Sequence, residues 1–560
     1  MPLKGMPLHD YLSVIHTHMK APMSSRMTGC IPLALLLMAS ASLSSSPAMA
    51  AMNKPVRTQS GLLSGVEGRD ASITVYKGVP YAAPPVGDLR WRAPQEPLKW
   101  KGVRKADQFG SICPQTMRGE TVPMSEDCLF LNVWSGATSA KERRPVLVWI
   151  YGGRFVGGYG SDPLYDGEGL ARKGLVVVTM NYRTGVFGFL STPELSQESG
   201  HKASGNYGLL DQVACLKWVQ RNIAAFGGDP KRVTIAGQSA GAGSVLFQSD
   251  SPLSKGLYQR AIAQSGARFP NDPDLRGLAT SWRTLQDAET QGVKYAQQHN
   301  ATTLKELRAL SWQELLVGNN ANDDSVKTYV SPPPPLFRPV VDGWVLPLNY
   351  SQSYEKGAQH DVPIMTGNNL DESGAQPQPR VKLADYVSMA RQKYGAMADE
   401  FLKLYPAATD AQAGAAQNQA ARDSSRVSTF LWAREWRQRT RSKVFLYYWT
   451  YAPPGPEQAT KGAYHGSEIN YVFNNLYATD LPWTDEDRRV ADIMSSYWVN
   501  FATQGDPNTP KGGNELAKWD AFDYWSASVM ELGHKFARIP LADAARFDFL
   551  RRFFASQEAW

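Results

Sequence analysis

Seven short apolar, β-branched runs punctuate this 560-residue chain, with helix-patterned stretches between them. The runs are Pro145–Ile150, Leu175–Met180, Val233–Gly237, Arg260–Ser265, Val362–Gly367, Lys443–Trp449 and Ser528–Leu532. Strands that alternate with helices specify a mostly parallel sheet covered on both faces, because a parallel neighbour requires a crossover long enough to hold a helix. Asp211–Phe226 reads as such a helix, with Leu209, Val213, Leu216, Ile223 and Phe226 spaced for one buried face. Two further stretches, near 270–336 and 381–441, are polar and helix-forming, and the first closes on Pro332–Pro335. Neither carries a strand-rich core of its own. Both are read as helical insertions in one large α/β domain over 51–560, although the length alone would allow several domains. No internal repeat is visible.

The net charge of +7, from 59 Lys and Arg against 52 Asp and Glu, is mild for this length. It includes no basic block of the kind that tracks nucleic acid, so nucleic-acid binding is not expected. The first 50 residues read as an export signal. Lys20 and Arg26 precede the apolar run Ile31–Ala39, and a small-residue stretch ends in Ala48-Met49-Ala50, an A-x-A cleavage pattern. Met19, Met23 and Met27 all fit as the true start. The run is too short to span a bilayer, and no later segment is apolar enough, so no membrane span is expected. The mature chain is expected to be exported, secreted or periplasmic, and to start near Ala51. An oxidising compartment permits a disulfide, and Cys113 and Cys128 would close a short loop containing Pro114, Gly119 and Pro123. Cys215 lies in the helical pattern and reads as a small core residue. With no Cys-x-x-Cys or His-x-x-x-His pair, no metal is expected.

The chemistry begins at Gly237-Gln238-Ser239-Ala240-Gly241, which follows the apolar strand Val233–Ala236 and precedes small residues able to start a helix. A serine at a sharp strand-to-helix turn is held in a strained backbone conformation. Side chains two residues to either side would collide, so glycine is required at 237 and 241. The turn exposes the hydroxyl and puts the Ala240 N–H at a helix N-terminus, where developing negative charge is favoured. Upstream, Trp149-Ile150-Tyr151-Gly152-Gly153-Arg154-Phe155 ends another strand. Its glycines let backbone N–H groups approach an oxyanion from the side opposite Ala240.

With these motifs on the page, the chain resembles the type-B carboxylesterases of the α/β-hydrolase fold, the group that includes the cholinesterases. The resemblance runs from Val56 to the C-terminal region. Its most specific pieces are Glu126-Asp127-Cys128-Leu129-Phe130-Leu131-Asn132-Val133, the Gly-Gln-Ser-Ala-Gly elbow, Asn181-Tyr182-Arg183 and Phe226-Gly227-Gly228-Asp229-Pro230. It implies a Ser–acid–His triad with Ser239 as nucleophile. Glu372, in Gly367-Asn368-Asn369-Leu370-Asp371-Glu372-Ser373, would be the acid, and His465, in Tyr464-His465-Gly466-Ser467-Glu468, the base. The residues agree: of the eight histidines, His465 sits in a glycine-flanked loop after a late strand, in the order Ser…Glu…His. Asp371 is a rival acid on chemistry alone, since either carboxylate could orient an imidazole. The resemblance also implies a Cys113–Cys128 disulfide and ion pairs Arg90–Glu126 and Arg183–Asp211. Gln238, Ser265 and Glu468 would support the triad without touching substrate.

Two departures from the family pattern carry information. Gln238 stands where the elbow usually has Glu, which disfavours a cationic substrate. Arg154 breaks the family's three-glycine run. Its N–H still serves an oxyanion hole with Gly153 and Ala240, while its guanidinium either recognises an acidic or aromatic acyl group or turns to solvent. The resulting expectation is a serine hydrolase that cleaves small-molecule carboxylic esters through an acyl-enzyme and needs no cofactor. The competing class is a catalytically inactive binding or adhesion module, which the same fold hosts. Peptide hydrolysis is weaker, because no propeller-like or β-sandwich partner domain accompanies the fold.

Overall fold

Eleven strands form the central sheet: β1 (Val66–Glu67), β2 (Thr74–Pro80), β3 (Phe130–Ser135), β4 (Arg144–Ile150), β5 (Val176–Met180), β6 (Gly228–Gln238), β7 (Arg260–Gln264), β8 (Ile364–Asn369), β9 (Val444–Trp449), β10 (Ser528–Leu532) and β11 (Ala537–Pro540). Their spatial order is β1-β2-β3-β5-β4-β6-β7-β8-β9-β10-β11. The computed structural model describes residue 52 and residues 54–117, 122–329, 332–375, 381–510 and 516–560. The expected leader over residues 1–50 and its cleavage point lie outside them.

The seven strands read from the sequence are the seven that run side by side and parallel, β5-β4-β6-β7-β8-β9-β10. They are legible because both of their faces are buried. On β4, Val146, Val148 and Ile150 join one hydrophobic cluster, while Leu147 and Trp149 join the other. That period-2 division leaves no polar position to break the run. The four strands that sequence reasoning did not separate, β1, β2, β3 and β11, pair antiparallel at the two edges. β2 carries Lys77, Gly78 and Pro80 and is interrupted by a register shift between Tyr76 and Val79. Composition alone therefore argues against a strand there.

Helices cover both faces. α1 (Tyr207–Asn222) and α2 (Ala240–Asp250) lie on one side, with α1 starting a turn earlier than its periodicity suggested and continuing as a 3₁₀ turn over Ile223–Phe226. The stretch over 381–441 forms α3 (Leu383–Tyr394), a shorter helix over Ala398–Leu404 and the 30-residue α4 (Asp410–Arg439), which Thr409 caps by accepting from Gln412 N–H. α5 (Asp485–Gln504) buries Val490, Met494, Trp498 and Phe501 against the opposite face. α6 (Ala544–Ala555) packs Phe549 and Phe553 on Tyr394 of α3. The 270–336 stretch is likewise helical, over Leu285–Gln298, Leu304–Ala309 and Trp312–Leu315. Among the described residues no helix is long and apolar enough to cross a membrane.

Two ion pairs and a disulfide pin the loops around this frame. Arg183 and Asp211 meet in a two-pronged contact at 2.8 Å on each prong, with the aspartate wholly buried. Removing one partner of such a pair typically costs about 3–5 kcal/mol, because the other is left charged and dry. Arg90 holds Glu126 the same way at 2.6 Å. Cys113 and Cys128 are bonded, and Cys215 is a buried free thiol. A cross-link over 15 residues is worth about 3 kcal/mol in the loop-entropy account. The Cys113→Ala/Cys128→Ala variant is accordingly expected to lose about that much stability in urea unfolding; an unchanged midpoint would show that the loop is already fixed by its other contacts.

Candidate active site

β6 runs straight into α2, and the junction residue, Ser239, has φ 60° and ψ −125°. That region costs a non-glycine residue of order 1–3 kcal/mol, and the neighbouring strands enforce it. The Ser239 N–H donates to the Gln264 carbonyl at 2.9 Å, and its own carbonyl accepts from Gly243 N–H at 3.0 Å. A Cβ at Gly241 would lie 2.1 Å from the Ile150 carbonyl oxygen, and one at Gly237 would lie 2.5 Å from the Gly241 backbone. The expected need for glycine at both positions is therefore a matter of backbone contact. Among the described residues, no acceptor takes the N–H of Gly153, Arg154 or Ala240.

The end of β8 and the loop after β9 bring the other two candidates together. His465 Nδ1 faces Glu372 Oε2 in a short hydrogen bond, and Glu372 Oε1 accepts from Asn369 N–H at 2.9 Å. Burial pushes the Glu372 carboxyl up, but the His465 imidazole and these hydrogen bonds outweigh it and leave the pKa below its ordinary value. For His465 burial works downward, and the charge and hydrogen bond of Glu372, with Glu468 behind, reverse it to leave the imidazole above its ordinary value. The ring is 41% exposed and opens onto a cavity of about 390 Å³, which Ser239, Ala240, Arg154, Glu372 and Arg422 also line. Its Nε2 sits 3.2 Å from the Gln238 amide nitrogen. The other described histidines are engaged elsewhere: His201 stacks on Trp344, His299 contacts the Val317 carbonyl, His360 bonds Tyr258, and His534 packs against Tyr451.

The two carboxylates that chemistry alone left open are separated by geometry. Asp371 turns away from the imidazole. Its Oδ1 takes two hydrogen bonds from Arg422 of α4, and its Oδ2 accepts from Ala463 N–H at 2.9 Å. Because its backbone also bridges to Tyr464, Asp371 fastens the histidine loop to the end of β8. Glu468 is buried behind the pair, accepting from Gln264 at 2.9 Å and from Asn369 at 2.6 Å; burial raises its pKa. Gln264 in turn accepts from Trp498 of α5 at 3.0 Å. Ser265, at φ 54°, lies close enough to Glu372 to help hold that carboxylate charged, without a hydrogen bond of normal geometry. Sequence reasoning missed Arg422 and Gln264. Nothing along the chain marks either one, because their partners are 51 and 204 residues away.

Arg154 is half-buried in the cavity wall, has φ 58°, and donates one guanidinium hydrogen bond to the Pro333 carbonyl at 2.8 Å. Burial lowers its pKa. A second cavity of about 390 Å³, lined by Pro94, Leu210, Val213 and Trp218, contains none of these groups.

The sheet order, the strained serine between β6 and α2 and the late histidine loop define an α/β hydrolase. The chain belongs to the carboxylesterase family, whose model matches residues 52–548, and is a type-B carboxylesterase, a carboxylic ester hydrolase. It is 38% identical over 466 residues to fumonisin B1 esterase of Sphingopyxis macrogoltabida, covering 80% of this chain and 82% of that one. It is 33% identical over 486 residues to para-nitrobenzyl esterase of Bacillus subtilis (strain 168), covering 83% and 92%. Among solved structures, a PNB esterase superposes with a TM-score of 0.72 at 30% identity, covering 89% of this chain and all of that one.

Proposed function

We propose that this carboxylesterase works through Ser239, His465 and Glu372, and that it prefers esters whose acyl part is acidic or aromatic. The observation that carries the first part is the Glu372–His465 contact on the wall of the cavity that also holds Ser239. Ser239 Oγ attacks the ester carbonyl as His465 Nε2 takes its proton, and Glu372 fixes the imidazole tautomer and offsets its positive charge. The N–H groups of Gly153, Arg154 and Ala240 receive the oxyanion. The carbon–oxygen bond then breaks, with His465 protonating the departing alkoxide. Water repeats the sequence on the acyl-enzyme and releases the acid and free Ser239.

Arg154 supports the second part. Its guanidinium is at the cavity wall, and its partner there is a neutral carbonyl rather than a carboxylate. A guanidinium so placed favours a carboxylate or the face of an aromatic ring. The A-x-A pattern after a basic and apolar leader supports export to the periplasm or medium. A fluorophosphonate probe is expected to add one phosphonyl group to the protein and abolish ester turnover, with the adduct on the peptide containing Ser239. An adduct elsewhere, or full turnover after labelling, would overturn the assignment.

A further inference from the structure

Gln238 stands one residue before the proposed nucleophile, at the end of β6. It is buried, and its amide nitrogen lies 3.2 Å from His465 Nε2. With Nδ1–H directed at Glu372, neutral His465 presents a lone pair at Nε2, so the amide is the donor in this contact. The two edges of the ring are therefore held by groups of different charge, a carboxylate at Nδ1 and a neutral amide at Nε2. Otherwise the imidazole is open to the cavity, with 41% of its side chain exposed. Without the amide, Glu372 alone would restrain a ring that has room to swing.

We infer that Gln238 is a positioning residue, which holds the Nε2 edge of His465 toward Ser239 between turnovers and, by being uncharged, keeps the base active at lower pH than glutamate would. The inference rests on the reading of His465 as the base. At 3.2 Å the contact is long for a hydrogen bond, so Nε2 can be handed to the serine hydroxyl when substrate arrives. The charged groups around the ring are Glu372 in contact, Glu468 beneath it, and Arg268, which opposes them. Arg154, Arg422, Asp371 and Asp274 line the same cavity. Of these, Asp371 is taken by Arg422 and Asp274 by Lys393. A carboxylate introduced at 238 would be a second negative charge in direct reach of the imidazole, and it would stabilise the imidazolium.

The test is the pH profile of kcat/KM for a nitrophenyl ester, with wild type, Gln238→Glu and Gln238→Met. Activity needs neutral His465, so it falls as pH drops through the imidazole pKa. Gln238→Glu is expected to move that acid limb up by about one pH unit and also to lower the high-pH plateau, since an ionised carboxylate has no hydrogen to donate to the Nε2 lone pair of neutral His465. Gln238→Met, close in size but without the donor, is expected to lower plateau kcat by about 5-fold with little change in KM, the loss of one modest hydrogen bond. An unshifted limb in Gln238→Glu would overturn the inference. Nitrogen NMR of labelled histidine gives a readout independent of turnover: the His465 Nε2 signal should move between wild type and Gln238→Met, and an unmoved signal would also overturn it. Retained turnover in Ser239→Ala would instead count against the parent reading, so the two failures are distinguishable.

Discussion

Ser239→Ala, His465→Ala and Glu372→Gln should each lower ester kcat/KM by at least ~10³-fold and leave far-UV circular dichroism and unfolding midpoint close to wild type. The size follows from the role each group has in the proposed mechanism. Without Ser239 no acyl-enzyme forms, without His465 no group takes the serine proton, and without the Glu372 charge the imidazolium loses its partner. The effects should also be strongly non-additive, since the residual rate after one loss comes from the N–H groups at 153, 154 and 240 and from substrate binding. Asp371→Asn is the informative comparison. Asp371 is held by Arg422 and Ala463 and makes no contact with the imidazole, so its replacement should act on stability. A hydrogen bond to a charged group is worth about 1.5–3 kcal/mol, which should appear in the urea midpoint while kcat/KM falls far less than in Glu372→Gln. Equal losses of turnover at 371 and 372 would leave the acid unassigned.

Those two adjacent carboxylates show where one-dimensional reading stops. Ser239 and its glycines were legible because their constraint is local: strand, strained turn and helix are consecutive, and the reason for Gly241 lies in a strand that the sequence also announces. His465 was legible through chain order and its flanking glycines. The choice between Asp371 and Glu372 was carried by family resemblance alone, because successive residues at a strand end point in different directions and only the register with the Ala463–Tyr464 segment decides which faces the histidine. Arg422 was invisible for the same reason. It sits in a polar helix where an arginine ordinarily means a solvated face, and its role comes from a packing contact across 51 residues. The strands β1, β2, β3 and β11 escaped for local reasons: β1 is two residues long, β2 contains Gly78 and a register shift, β3 is interrupted by Asn132, and β11 is largely exposed. Arg154 was recognised as a departure from the sequence, but its tether to Pro333 joins two loops that no local pattern links.

That tether gives the Arg154 prediction its form. If the guanidinium reads the acyl group, an ester bearing a free carboxylate should be turned over faster than the matched methyl ester, and Arg154→Gly should erase the difference. A water-shielded guanidinium–carboxylate contact is worth about 1.5–3 kcal/mol, or roughly 10–150-fold in kcat/KM. Glycine is the suitable replacement because residue 154 has φ 58°, which glycine adopts without strain, and because it keeps the N–H assigned to the oxyanion. It also removes the hydrogen bond to Pro333, which would affect acidic and neutral esters alike. The ratio between matched substrates therefore isolates recognition from any general loosening of the cavity wall. Loss of bulk should leave neutral esters unchanged or somewhat faster. Arg154→Lys should recover only part of the preference, since an ammonium lacks the planar two-point fit. A ratio equal in wild type and Arg154→Gly would show that the side chain serves the loop at Pro333 and not the substrate, leaving specificity to the remaining lining of the cavity.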